Sequence, residues 1–189
     1  TLVGSAGLGV FCDKKPKASG SASQAKVKTP RSGTKQKHKA RVVLVRDKDV
    51  ISADGSLNGE ILAKMVDEGL VRLLEEDDAT SAWGRLFGPQ DTVGIKSNVW
   101  RFLPTPKEIE EHLVHSVQTT GVNEERIAVD DRGVLENPVF SRATALLNVR
   151  CSRTHHWSGV GSLIKNYIMF HPEPWTWHDD SCAKLAGLW

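Results

Sequence analysis

Cysteine is scarce in this chain: its 189 residues hold three, Cys12, Cys151 and Cys182. No two of them lie close together, which excludes a disulfide-dense scaffold and any CxxC-type zinc or ferredoxin site. At most one bridge is available, and Cys151 with Cys182 is the expected pair. Long apolar runs are missing as well. None approaches the roughly 18–20 residues that a spanning helix needs, so no transmembrane span is expected within this chain. Catalytic signatures are equally thin. There is no GKS or GKT after a glycine loop, and Lys165 stands at the wrong spacing from Gly159–Gly161 for a Walker loop. No GxGxxG follows the first strand-like run, which leaves a nicotinamide dinucleotide unsupported. HExxH and GxSxG are absent too, so neither a zincin site nor a hydrolase nucleophile elbow is indicated.

What remains has the composition of a globular protein, with 39 % hydrophobic and 25 % charged residues. A mass of 20.8 kDa suits one domain, or one domain with tails. The formal charge of +2 hides a partition. Residues 13–41 carry ten Lys and Arg against Asp13 alone, a net +9, and the remainder after Arg41 stands at −7. The chain reads as an acidic body behind a basic leader.

Residues 1–12 form an apolar, glycine-rich run of the length of a signal-peptide core, weakened by Gly4, Ser5, Gly7 and Gly9. That weakness is characteristic of twin-arginine export signals, and Ser23-Gln24-Ala25 supplies a cleavage triplet. Residues 1–25 are therefore expected to be an export-signal remnant, with a structural strand as the alternative. Residues 26–40 are expected to form a basic flexible linker, because so few large apolar groups cannot offset the entropy of ordering. No aromatic interleaves with its lysines, so nucleic acid is not an expected partner. The expected location is periplasmic or otherwise extracytoplasmic.

From residue 41 to 189 the pattern alternates. Residues 41–46 (RVVLVR), 91–96 (DTVGIK), 126–129 (RIAV) and 148–151 (NVRC) read as strands. Residues 58–74, 79–87, 105–121 and 137–147 read as helices, with Pro106 at a first turn and Gly121 as a terminator. This rhythm predicts an α/β fold: a largely parallel sheet with helices on both faces, followed by an irregular Trp/His-rich C-terminal segment.

Ligands of open parallel sheets sit beyond the carboxyl ends of the strands. Polar residues gather there in this sequence: Asp47, then Lys96 and Asn98, then Asp130 and Asp131, then Arg153, His155 and His156. Imidazoles and carboxylates suit zinc, iron or manganese, so Asp130, Asp131, His155, His156 and His178 are the expected ligands of a transition metal. The alternative for these residues is structural, with the aspartates capping a turn and the histidines bonded to backbone. Lys96, Asn98, Lys165 and Asn166 are expected to hold a phosphate- or carboxylate-bearing ligand. No residue is assigned a catalytic role.

The runs RVVLVRD at 41–47, AWGRLFGPQDTVGIKSN at 82–98 and THHWSGVGSLIKNYI at 154–168 together resemble the domain-of-unknown-function family 362 of bacteria and archaea. The resemblance spans residues 41–189 and implies an α/β domain, frequently exported. Some family members are fused to ferredoxin-type iron–sulfur modules, which three scattered cysteines cannot build here. It also implies further strands beyond Trp189, so that 41–189 would be the N-terminal part of the domain. The residues carrying the family motifs are Asp47, Lys96, Asn98, Asp130, His155, Ser158, Lys165 and Asn166. Two functions are expected: an exported protein holding a metal or redox-linked cofactor at its strand ends, or a non-catalytic accessory subunit of an extracytoplasmic assembly with other protein subunits as partners.

Overall fold

The computed structural model describes residues 6–11 and 40–188. A four-stranded sheet in the order β1-β4-β2-β3 comprises β1 (Ala6–Phe11), β2 (Val93–Lys96), β3 (Ile127–Asp130) and β4 (Ala145–Cys151). β2 is parallel to both β3 and β4, while β1 runs antiparallel along the outer edge of β4. The fold is mixed α/β.

Three helices supply the apolar faces that cover the core. α1 (Gly59–Leu74) begins where Asn58 accepts a hydrogen bond from the Ile61 N–H, and it buries Leu62, Val66 and Leu70. α2 (Ala79–Leu86) begins at Asp78, which accepts from the Ser81 N–H, and it buries Trp83 and Leu86. α3 (Lys107–Thr119) follows Pro106 and buries Ile109, Leu113 and Val117. These side chains close over Val93, Ile95, Leu147 and Val149 of the sheet. α3 stops at Gly121, whose φ of 90° is open to glycine and costly for other residues.

The sheet order places the site. From the centre, β2, the chain passes through α3 to β3 on one side, and β4 lies on the other. Such a reversal leaves a crevice beyond the carboxyl ends of the strands. The register puts Asp130, Lys96 and Asn148 side by side in one row, and β4 runs on through Arg150 to Cys151. Beyond β4 the chain folds a small antiparallel hairpin of β5 (Arg153–His155) and β6 (Gly159–Gly161), then a single turn α4 (Leu163–Asn166). Short 3-10 turns carry the tryptophan- and histidine-rich remainder.

Three expectations are corrected. Residues 41–46 are not a strand: Val42 and Leu44 are 86 % and 65 % exposed, and the edge of β4 is taken by β1 instead. Residues 137–147 are not a helix. A 3-10 turn at Phe140–Arg142 precedes β4, which already begins at Ala145 and buries Leu147 and Val149 completely or nearly so. A short apolar run does not by itself distinguish buried strand from buried helix. Cys151 and Cys182 are free thiols, so the expected bridge is absent. The leader falls partly on β1; the rest of 1–25 and nearly all of the linker 26–40 lie outside the described residues.

Candidate anion-binding site

The end of the sheet is sealed by an ion pair and an amide network. Lys96 is fully buried and pairs with the buried Asp131 carboxylate, while its Nζ also donates to the Ser97 carbonyl at 2.7 Å. Burial holds the Lys96 amine below its ordinary pKa, with Asp131 opposing that shift. The other Asp131 oxygen accepts from the Val99 N–H at 2.8 Å, so both carboxylate oxygens are engaged. Asn166, on α4, donates to Asn148 Oδ1 at 2.8 Å and to the Ser97 carbonyl at 3.0 Å. Its Oδ1 accepts from Asn98 Nδ2 at 3.2 Å, and Asn148 in turn donates to the Leu163 carbonyl at 2.8 Å. These bonds lock α4 onto the ends of β2 and β4.

Outside this plug lies a cavity of about 440 Å³, and its wall is cationic. Arg132, Arg150, Arg153 and Lys165 all line it. Among the described residues Asp131 is the single carboxylate of that wall, and it is already committed to Lys96 and Val99. Arg150 is 3 % exposed, yet its Nε and Nη2 have no hydrogen-bond partner among the described residues, and Nη1 reaches only the Ser162 carbonyl at 3.5 Å. Burial, and then the charge of Arg153, depress this guanidinium to about 10. A Cβ on Gly161 would stand 3.5 Å from Arg150 Nη2, so the hairpin strand β6 passes right over the guanidinium.

Arg153 is better held. It lies over the Trp100 ring, 3.9 Å from the centroid, and donates to Asn98 Oδ1 at 3.0 Å. Lys165 Nζ donates to His178 Nε2 at 2.9 Å. His178 Nδ1 is 3.1 Å from the Trp175 carbonyl, which can only accept, so the ring carries its proton on Nδ1 and offers a lone pair to the lysine. With no carboxylate partner among the described residues, Lys165 is lowered to about 8, first by burial and then by Arg150 and Arg153, with Cys182 pulling the other way. His155 falls to about 4, through burial first and then the charge of Lys165, with Arg153 and Arg150 adding to it. At neutral pH it is an uncharged ring whose Nδ1 accepts from the Ser158 N–H at 3.3 Å.

The sequence-derived residues separate into two groups here. Asn98, Lys165 and Asn166 line the cavity, and Lys96 sits behind them in the plug. Four of the five expected metal ligands, Asp131, His155, His156 and His178, line the same cavity, but they are not arranged around one point. Asp130 does not line the cavity; it caps its own turn, accepting from the N–H groups of Asp131 and Gly133 at 2.7 and 2.9 Å and from Asn137 Nδ2 at 3.2 Å. Asp131 is used by Lys96. His155 and His178 stack on one another with centroids 5.6 Å apart, and His156 is exposed at the rim. Among the described residues no three of His, Cys, Asp and Glu are placed to hold an ion. A wall of cations with its one carboxylate engaged does not fit a bare metal cation. Asp47 accepts from the Asp49 N–H in an exposed loop away from the cavity.

Arg150 and Asn148 were not among the expected residues. Their signal is two polar residues inside the otherwise apolar run ALLNVRC, a place where a charge is tolerated only with a purpose or a partner. Comparison with known proteins returned no match: no family model, no curated protein and no solved structure.

Proposed function

We propose that the strand-end cavity binds a small anionic ligand through phosphate or carboxylate groups. The observation that carries this reading is Arg150, a buried guanidinium with two nitrogens unpartnered among the described residues, beside a cavity in whose described lining the one carboxylate is engaged. An uncompensated buried charge is costly, and an anion in the cavity offsets that cost. Taken as part of a largely parallel sheet with helices on both faces, the strand ends form the open rim of the domain. The metal or redox-linked cofactor expected from the sequence enters this proposal only as an anion, held by its own acidic groups. An exported protein resembling family 362 is the setting we infer for it.

Thermal denaturation with inorganic phosphate against chloride of matched ionic strength tests the reading. Phosphate is expected to raise the melting temperature saturably, and Arg150→Met to abolish that response while leaving the ligand-free protein as stable or more so. An equal rise in the variant, or none in the parent, overturns it. Absorption and elemental analysis of protein from its native host test the cofactor: no chromophore, and less than about a tenth of an equivalent of transition metal, would remove it.

A second reading, an accessory subunit of an extracytoplasmic assembly, is favoured by exposed apolar side chains, with Val42 86 %, Phe102 65 % and Trp175 64 % accessible. It requires co-purifying protein partners, and a monomer or small oligomer on native mass measurement argues against it.

A further inference from the structure

The cavity carries a second kind of surface beside its cations. Trp157 lines it with 54 % of its area exposed. The indole is braced by three imidazoles, with centroids 5.6 Å from His155, 5.5 Å from His156 and 4.8 Å from His178. Such bracing fixes the orientation of the ring while leaving much of it open, as in a stacking platform. His178 joins the two surfaces, because its Nε2 meets the Lys165 amine and its edge meets the indole. Cation and aromatic wall are thus separated by a single imidazole. A ligand touching both must carry its acidic group close to a flat ring.

Charge and size narrow the class. Among the described residues Arg150, Arg153 and Lys165 face a wall with no free carboxylate, an arrangement that favours a dianion over a monoanion. Arg153, oriented by Trp100 and Asn98, keeps further N–H groups for a fork on one acidic head. The volume, about 440 Å³, falls within the roughly 300–1,000 Å³ of small-molecule sites and far exceeds what a bare ion fills. We propose that the ligand is a mononucleotide, with its phosphate monoester at Arg153 and Lys165 in the field of Arg150 and its base stacked on Trp157. This rests on the anion-binding reading and adds the aromatic half.

Calorimetric titration of the full chain with adenosine monophosphate, ribose 5-phosphate and adenosine separates the two claims. Adenosine monophosphate is expected to bind at least roughly five-fold more tightly than ribose 5-phosphate, the lower end of the stacking contribution of one base. Trp157→Leu is expected to erase that preference while ribose 5-phosphate binding is retained. Equal affinity for the two phosphates, or a preference that survives Trp157→Leu, overturns the mononucleotide and leaves the anion site standing. Failure of both phosphates to bind overturns the anion site itself.

Discussion

Lys96 and Asp131 face each other across the carboxyl end of the sheet as a sealed ion pair, their side chains 0 % and 5 % exposed. The pair joins β2 to the turn that follows β3 and forms the floor beneath the cavity. Removing one partner leaves the other buried and uncompensated. Lys96→Met is expected to cost about 3–5 kcal/mol in chemical denaturation, whereas the double change Lys96→Met with Asp131→Leu should cost much less than the sum of the singles. Additive losses would show that the pair is not coupled.

The depressed amine of Lys165 makes both stability and ligand binding depend on pH in the alkaline range. Its folded pKa of about 8 lies below the ordinary 10.5, so between these values the unfolded chain binds more protons and the stability contributed by this group rises with pH. Phosphate affinity should move the opposite way, weakening as pH passes about 8 and the cation is lost. Lys165→Met should flatten both profiles. Titrations of melting temperature and of phosphate affinity between pH 7 and pH 10 measure the two slopes, whose opposite signs are the diagnostic.

Away from the cavity, Asp67 ties α1 to α2 and α3. It accepts from Trp83 Nε1 at 2.8 Å and lies 3.0 Å from His112 Nε2. Burial alone would raise its carboxyl, but the bonds from His112 and Trp83 and the nearby His112 and His115 charges leave it below the ordinary 3.8. A lowered carboxyl contributes stability that is present above its unfolded pKa and lost as pH falls through the folded one. Asp67→Ala should therefore cost about 1–3 kcal/mol at neutral pH, since Trp83 Nε1 loses its acceptor. The gap to the parent should narrow below pH 3.8, as followed by urea unfolding at both pH values.

The outer edge of β4 is covered by Ala6–Phe11 from Ala6 opposite Cys151 to Phe11 opposite Leu146. A chain beginning at Lys26 exposes that edge, with its unpaired N–H and C=O groups. It should melt lower and aggregate sooner than the chain retaining the segment, as light scattering during heating would reveal. Intact mass of the protein from its host reports whether the segment is kept: a mature start near Lys26 supports an export signal, and retention of residues 1–12 supports a structural strand.

Residues near one another in sequence determined much of this protein without help. The periodicity of Leu62, Val66 and Leu70, with Asn58 before them, defines α1, and Pro106 and Gly121 bracket α3 through their own backbone preferences. The polar residues after β2 and in α4 marked the strand-end rim, and Asn98, Lys165 and Asn166 do line the cavity there. What the chain order left open was pairing over distance. The helix expected at 137–147 lost to a strand because β2 offered a parallel partner for residues 145–148, and 41–46 yielded the sheet edge to residues 6–11. Roles within the site were decided the same way. Asp130 and Asp131 are adjacent and alike in sequence, yet one caps a local turn while the other neutralises Lys96, a residue 35 positions away. Arg150 stands out in sequence only as a charge within an apolar strand, and its role appears once β6 folds over it and the neighbouring carboxylate is taken. Charge compensation depends on which groups meet in space, and only the tertiary structure sets those meetings.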